Sequence, residues 1–181
     1  MPPKQWTTQS SRPIYANKWL NLREDIAAMP DGRTTVYSVV TFGGAAGVLP
    51  FIDDDHVILL RQYRYVFGEN HRWEMPTGGI MAEETPEAAA QRELQEEIGY
   101  HAGRLEWVSS YYTSKSSIYE TAHLYLGYDL APCAQAPDET EFLEIATFAF
   151  ADVLEMVNRS EIRDSMTVIA VLHAARLRGW R

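Results

Sequence analysis

The segment that most restricts this chain is residues 74–100, EMPTGGIMAEETPEAAAQRELQEEIGY, which marks a helix at both ends and then crowds it with like charge. Thr85 suits the N-cap, Pro86 the first helical position and Glu87 the positive end of the dipole, while Gly99 stands where a left-handed residue closes a helix. These signals predict a helix over 86–98. Ala90, Leu94 and Ile98 recur at i, i+4 and i+8 and form its buried stripe. The rest of the helix carries Glu93, Glu96 and Glu97 at i, i+3 and i+4. Like charges at that spacing repel by about a few tenths of a kcal/mol per pair. In the last turns the macrodipole disfavours each anion by about 0.3–1 kcal/mol more. Arg92, four residues before Glu96, is the obvious compensating cation. A solvated acidic face is the ordinary reading of a Glu-rich helix, but it leaves the neighbouring Gly78-Gly79 and the clustering at the wrong end of the dipole unexplained. A divalent cation would turn the crowding into affinity. Mg²⁺ takes hard oxygen ligands and is commonly held by one or two carboxylates with waters and substrate phosphates.

The chain around this segment reads as interleaved strands and helices. Residues 19–28 and 34–42 flank the turn Pro30-Asp31-Gly32-Arg33, in a β-rich unit running from Ile14 to Phe42. An isolated strand pair is marginal in water, so this unit must lean on the body or on a second copy; a homodimer is expected. Gly43, Gly44 and Gly47 make 43–47 the expected boundary, giving units 1–44 and 45–181. In the second unit, strands are expected at 48–52, 56–64, 104–112, 119–128 and 143–150, and helices at 151–158 and 164–178. The fold class is α/β or α+β. With 181 residues, 46% of them hydrophobic, there is enough apolar surface for a sizeable core. Sixteen Lys+Arg against 25 Asp+Glu give a net charge of −9, which repels nucleic acid and anionic membranes, so neither is an expected partner. The start of the chain has no signal-like apolar core and no stretch approaches the ~18 apolar residues of a membrane span, so a soluble cytoplasmic protein is expected. Cys133 is the only cysteine, and the histidines at 56, 71, 101, 123 and 173 share no ligand spacing. No GxSxG elbow or P-loop is present.

Gly78, Glu84, Arg92-Glu93-Leu94, Glu96-Glu97 and Gly99-Tyr100 resemble the Nudix box in every fixed position, and the similarity in order and spacing runs from about Val48 to Leu177. The resemblance implies a Nudix-type α/β/α sandwich with a mixed sheet, preceded by a small N-terminal antiparallel β unit. It implies that Glu93 and Glu97 are the principal ligands of Mg²⁺ (or Mn²⁺), that Glu96 shares a further ion, and that the backbone carbonyl of Thr77 is another ligand. Arg92 would orient the glutamates and Glu84 assist from the loop; Arg92 and Glu96 count among the catalytic residues.

Leu59-Leu60-Arg61-Gln62-Tyr63-Arg64 and Trp73-Glu74-Met75-Pro76-Thr77-Gly78 are similar to the ADP-ribose and nucleoside diphosphate sugar pyrophosphatases, in which an added N-terminal β unit builds a dimer. Thr113–Ser117 lacks the proline usual in the ADP-ribose subgroup, which leaves GDP-mannose and other nucleotide sugars open. Those enzymes take a catalytic carboxylate from a loop beyond the box, where Glu139-Thr140-Glu141 stands here. Glu139 is the first candidate for the general base, a role worth about 10²–10⁴-fold. Glu141 is the second, or a metal ligand. Arg61 and Arg64 are candidates to grip phosphates, and Glu74 to orient substrate or pair with an arginine. Trp6, Tyr15 and Trp19 suit interface or core packing, with base stacking across a dimer the sharper alternative. The expected activity is metal-dependent hydrolysis of a nucleotide-sugar pyrophosphate bond. The alternatives are a non-catalytic nucleotide sensor on the same fold and a Nudix hydrolase of another nucleotide class.

Overall fold

Twelve strands and three helices follow one another in the computed structural model, which describes residues 4–70 and 72–179, so the polar start 1–3 and His71 lie outside the described residues. In chain order they are β1 (Thr7–Ala16), β2 (Asn21–Ala28), β3 (Thr34–Thr41), β4 (Ala45–Pro50), β5 (His56–Arg61), β6 (Tyr63–Arg64), β7 (Glu69–Asn70), β8 (Thr77–Gly79), α1 (Pro86–Ile98), β9 (Tyr100–Tyr112), β10 (Ile118–Tyr119), β11 (Thr121–Pro132), β12 (Glu144–Ala149), α2 (Phe150–Asn158) and α3 (Ser165–Leu177). Contacts divide them into two units, Met1–Gly44 with Tyr111–Thr121, and Ala45–Ser110 with Ala122–Arg181.

The first unit is a four-stranded sheet in the order β1-β2-β3-β10, antiparallel except for the parallel pair β3/β10. The 30–33 turn joins β2 to β3, with Met29 N–H donating to Arg33 O at 2.8 Å and Arg33 N–H to the Asp31 carboxylate at 3.1 Å. β2 begins at Asn21 rather than 19 because the Asn17 carboxamide oxygen takes the N–H groups of Trp19 and Leu20 at 2.8 and 2.9 Å, tying those residues into a turn. β1 starts seven residues before the expected Ile14. All ten of its residues are exposed, so it lacks the apolar alternation by which a strand is read. The expected strand 119–128 is broken at Glu120. Residues 118–119 pair with β3, Val40 and Phe42 donating to Ser117 O and Tyr119 O, and β11 starts afresh at Thr121.

In the second unit β4 lies inside the mixed sheet β8-β4-β11-β9, parallel to β11 and antiparallel to β8. Ala46 to Pro50 are all buried, because β4 packs against both α1 and α3. This continuous burial, rather than alternation, is what a strand covered on both faces shows. Gly47, assigned to the boundary by sequence, is a strand residue, and a Cβ there would meet Thr77 Cγ2 at 2.6 Å and Met75 Cε at 2.8 Å. β5 and β12 pair separately and antiparallel. The α1 side of the core gathers Val48, Ile58, Leu60, Ala90, Leu94 and Ile98. Elsewhere Phe51 stacks on Tyr128 at 5.5 Å and tilts against Phe150 at 5.3 Å. Among the described residues, no helix is long and apolar enough to cross a membrane.

Candidate active site

The expected helix is α1 to the residue. The Thr85 hydroxyl accepts from Ala88 N–H at 3.2 Å, and Gly99, at φ 71°, donates its N–H to Gln95 O at 3.0 Å. Losing this N-cap in Thr85→Ala should cost about 1 kcal/mol, read as a lower urea midpoint at unchanged slope. Besides the apolar stripe, α1 buries two of its acids, with Glu93 8% and Glu97 2% exposed. A solvated acidic face is therefore excluded for these two.

β8 is what covers them. Thr77 N–H donates to Glu97 Oε2 at 2.8 Å, and a Cβ on Gly78 would overlap the Glu93 carboxylate. Consecutive residues of one strand thus rest on consecutive turns of the helix, and only a residue without a side chain fits at the second contact. The approach of β8 is pegged from α3. The Thr167 hydroxyl accepts Met75 N–H at 3.0 Å and donates to the Asp164 carboxylate at 2.7 Å. Sequence reading missed Thr167, whose partner lies 92 positions away, with no local signal to link them.

Arg92 gathers the remaining acids. Its guanidinium donates to Glu84 Oε1 and Oε2 (both 3.0 Å), Glu93 Oε1 (2.6 Å), Glu96 Oε2 (2.9 Å) and Gly79 O (2.9 Å). Hydrogen bonding to Glu84, then to Glu93 and Glu96, holds Arg92 well above its ordinary pKa. The same bonds hold the Glu84 carboxyl below its own. Glu93 is nevertheless raised, because burial outweighs Arg92. Glu97 is pushed up to about 9, first by burial, then by the charge of Glu93, with Glu141 and Glu74 adding to it and only Thr77 N–H opposing.

No ion pair reaches Glu97 among the described residues, and no three His, Cys, Asp or Glu side chains there are placed to hold a metal by themselves. Two buried carboxylates one helical turn apart, with Arg92 already shared among three acids, fit a hard divalent cation that completes its shell with water and phosphate oxygens.

The other expected residues lie on β5, β6 and the loop before β12. Glu74 is buried and ion-paired with Arg64, and its backbone exchanges hydrogen bonds with Leu60 at 2.8 and 2.9 Å. Arg61 forks onto Glu144 at 2.8 and 2.9 Å and lies over the Trp73 ring at 4.7 Å. Both arginines therefore already have carboxylate partners. On the loop, Glu141 Oε2 accepts Asp138 N–H at 3.1 Å, and its charge raises both Glu93 and Glu97. Glu139 is exposed and contributes to neither shift. Glu141, second in the sequence ranking, is thus the loop acid whose charge acts on the α1 acids.

Residues 41–167 match the NUDIX domain, and residues 6–40 match the nucleoside diphosphate sugar hydrolase N-terminal domain. Over 166 residues the chain is 31% identical to the methanol dehydrogenase activator of Bacillus methanolicus and equally to the ADP-ribose pyrophosphatase of Bacillus subtilis (strain 168), spanning 91% of this chain and 89% of each relative. A crystal structure of an ADP compounds hydrolase shares the fold, with a TM-score of 0.86 at 21% identity over 97% of this chain and 96% of that one. With its box on α1 and the domain matched from residue 41 to 167, this chain belongs to the Nudix family.

Proposed function

We propose that this chain hydrolyses the pyrophosphate bond of nucleoside diphosphate sugars, releasing a nucleoside monophosphate and a sugar phosphate. The observation that carries the reading is the buried pair Glu93 and Glu97 beneath Thr77 and Gly78, two carboxylates one helical turn apart that can ionise together only at a cost a bound cation would offset. The match of residues 6–40 and the ADP-ribose pyrophosphatase relative support this substrate class.

Mg²⁺, with Mn²⁺ as second choice, would be held by Glu93 and Glu97, with Glu96 and the Thr77 carbonyl as further ligands. When bound it neutralises phosphoryl oxygens and lowers the pKa of a coordinated water. Arg92 positions Glu93 and Glu96 through its hydrogen bonds to both. Arg64, steadied by buried Glu74, keeps guanidinium donors for a phosphate oxygen. Arg61 spends its fork on Glu144 and reaches substrate only by leaving it. The carboxylate of Glu141 takes the proton of the attacking water, and Glu139 is the competing candidate.

Glu141→Gln should lower kcat by about 10²–10⁴-fold with metal affinity nearly intact, and Glu139→Gln by less. The opposite order in steady-state rates would restore Glu139 as the base. A Glu141 variant that also binds metal weakly would assign Glu141 to the metal shell.

Metal-free protein should reveal the buried acids through pH. Between the ordinary carboxylate range and about 9, Glu97 holds a proton in the fold and none in the unfolded chain. The unfolded state then binds fewer protons, so stability falls as pH rises, by up to about 1.4 kcal/mol per unit for one linked proton. The melting temperature in chelator is expected to drop from about pH 6 to about pH 8, with Glu93 contributing in the same direction. A flat profile would contradict the burial of these acids.

The N-terminal unit, with its exposed edge strand β1 and exposed Trp6, Tyr15 and Trp19, is proposed to join two copies of the chain. Light scattering at micromolar concentration should return twice the chain mass; a monomer mass refutes the dimer. The activity itself is tested by Mg²⁺-dependent release of phosphate monoesters from a panel of nucleotide sugars. Binding without release from any member would favour the sensor reading.

A further inference from the structure

The carbonyl of Glu97 lies in the last turn of α1, where backbone oxygens lose their helical partners, and the residue four positions on, His101, already belongs to β9. A side chain from 38 positions away supplies a donor: Gln135 Nε2–H donates to Glu97 O at 2.7 Å. Glu97 is therefore held at both ends, its carboxylate by Thr77 N–H and its backbone by Gln135. Around that bond, the stretch that follows β11 lies across the end of the helix. Cys133 N–H donates to Gly99 O at 2.9 Å, and Gln95 Nε2–H reaches Ala134 O at 3.5 Å. Gly99 admits this passage, since a Cβ there would come within 3.2 Å of both Cys133 O and Gln135 Cβ.

Gln135 is also where the loop bearing Glu141 begins. Six residues of chain could carry a carboxylate anywhere within about 20 Å of an unfixed root. Little of that freedom remains. Pro137 fixes its own φ and restricts Ala136 before it. Residues 138–141 then close on themselves. Asp138 Oδ1 accepts the N–H and the hydroxyl of Thr140 (both 3.0 Å), Glu141 N–H donates to Asp138 O at 2.9 Å, and Glu141 Oε2 accepts Asp138 N–H at 3.1 Å. Beyond the turn, Glu144 enters β12 opposite Arg61. The loop is thus a closed turn hung between a strand pair at one end and the Gln135 amide at the other. Resting on the reading of Glu141 as general base, we propose that Gln135 is a positioning residue, whose donation to Glu97 O seats the Glu141 loop on the helix that carries the cation ligands, so that base and ligands keep one spacing.

Two substitutions separate the donor from the bulk of the side chain. Gln135→Met keeps the length and removes the donor; Gln135→Lys returns a donor, of the charge that a helix C-terminus favours. Gln135 is exposed, so neither variant endangers the fold. Gln135→Met is expected to lower kcat about tenfold with Mg²⁺ affinity unchanged, and Gln135→Lys to stay within about threefold of wild type. In metal-free protein, amide hydrogen exchange over residues 136–142 should quicken about tenfold in the methionine variant and return toward wild type in the lysine variant, while exchange in β4 stays constant. In a Glu141→Gln background, Gln135→Met should lower kcat by less than about twofold further, because no base is left to misplace.

Loop exchange that is equal in all three proteins overturns the proposal, and so does quicker exchange with kcat unaltered. Methionine and lysine variants that behave alike overturn it too, since the donor is then irrelevant. A full tenfold loss in the Glu141→Gln background would show Gln135 acting by a route other than Glu141. Glu141→Gln that keeps its rate, beside a loosened loop in Gln135→Met, removes Glu141 as the base and leaves Gln135 as the anchor of the loop.

Discussion

Glu97→Gln is expected to lower magnesium-dependent kcat at least about 100-fold, a loss of about 2.7 kcal/mol in transition-state stabilisation. The exchange conserves shape. An amide oxygen can still accept Thr77 N–H, so β8 keeps its seat on α1. What disappears is the charge that makes the buried spot a cation site. Because burial already holds Glu97 protonated to about pH 9 without metal, the glutamine resembles the metal-free side chain. The variant should therefore melt like wild type near pH 6 in chelator, melt higher near pH 8, and gain less from added magnesium. Loss of rate together with retained or improved metal-free stability is a signature that general unfolding cannot produce. Turnover equal to wild type would remove the metal assignment.

Gly78→Ala should have an effect of similar size from one added methyl group. The new Cβ overlaps the Glu93 carboxylate, so either that carboxylate leaves Arg92 or β8 lifts from α1. Displacements of about 1 Å at a reacting centre can cost about 10²-fold in rate, and overpacking of this kind destabilises by about 1–3 kcal/mol. Metal titration should show weakened affinity, and thermal melting a lower midpoint. Adding Glu93→Asp in the same chain withdraws the carboxylate by one methylene. It should recover the melting temperature without recovering turnover. If Gly78→Ala alone keeps full activity, the close approach of strand to carboxylate is not needed for catalysis.

How much could be read from sequence varies with the range of the interactions. α1 was legible to the residue because its signals are local, from Thr85 and Pro86 at one end to Gly99 at the other. β1 was legible only in part, since an exposed edge strand shows no apolar period, and β10 was missed because its pairing with β3 joins residues nearly eighty positions apart. At the site, spacing put Glu93, Glu96 and Glu97 on one helix but could not tell which were covered. That depended on β8 crossing above them. Arg61 and Arg64 were candidates to grip phosphates, and pairing of Glu74 with an arginine was one reading of that residue, but which arginine it meets, and that Glu144 meets Arg61, depends on strand pairing and the Leu60–Glu74 bridge. The choice between Glu139 and Glu141 depends on which way an irregular loop faces, and a Glu-Thr-Glu triplet carries no such information.

Arg92 has all five of its N–H donors engaged, on three side chains and one carbonyl. An anionic substrate approaching a protein of net charge −9 thus finds no unused N–H donor on Arg92. A divalent cation seated on the α1 acids would supply further attraction there, so occupancy by substrate would follow the free divalent content of the surrounding fluid and make the enzyme responsive to its mineral supply.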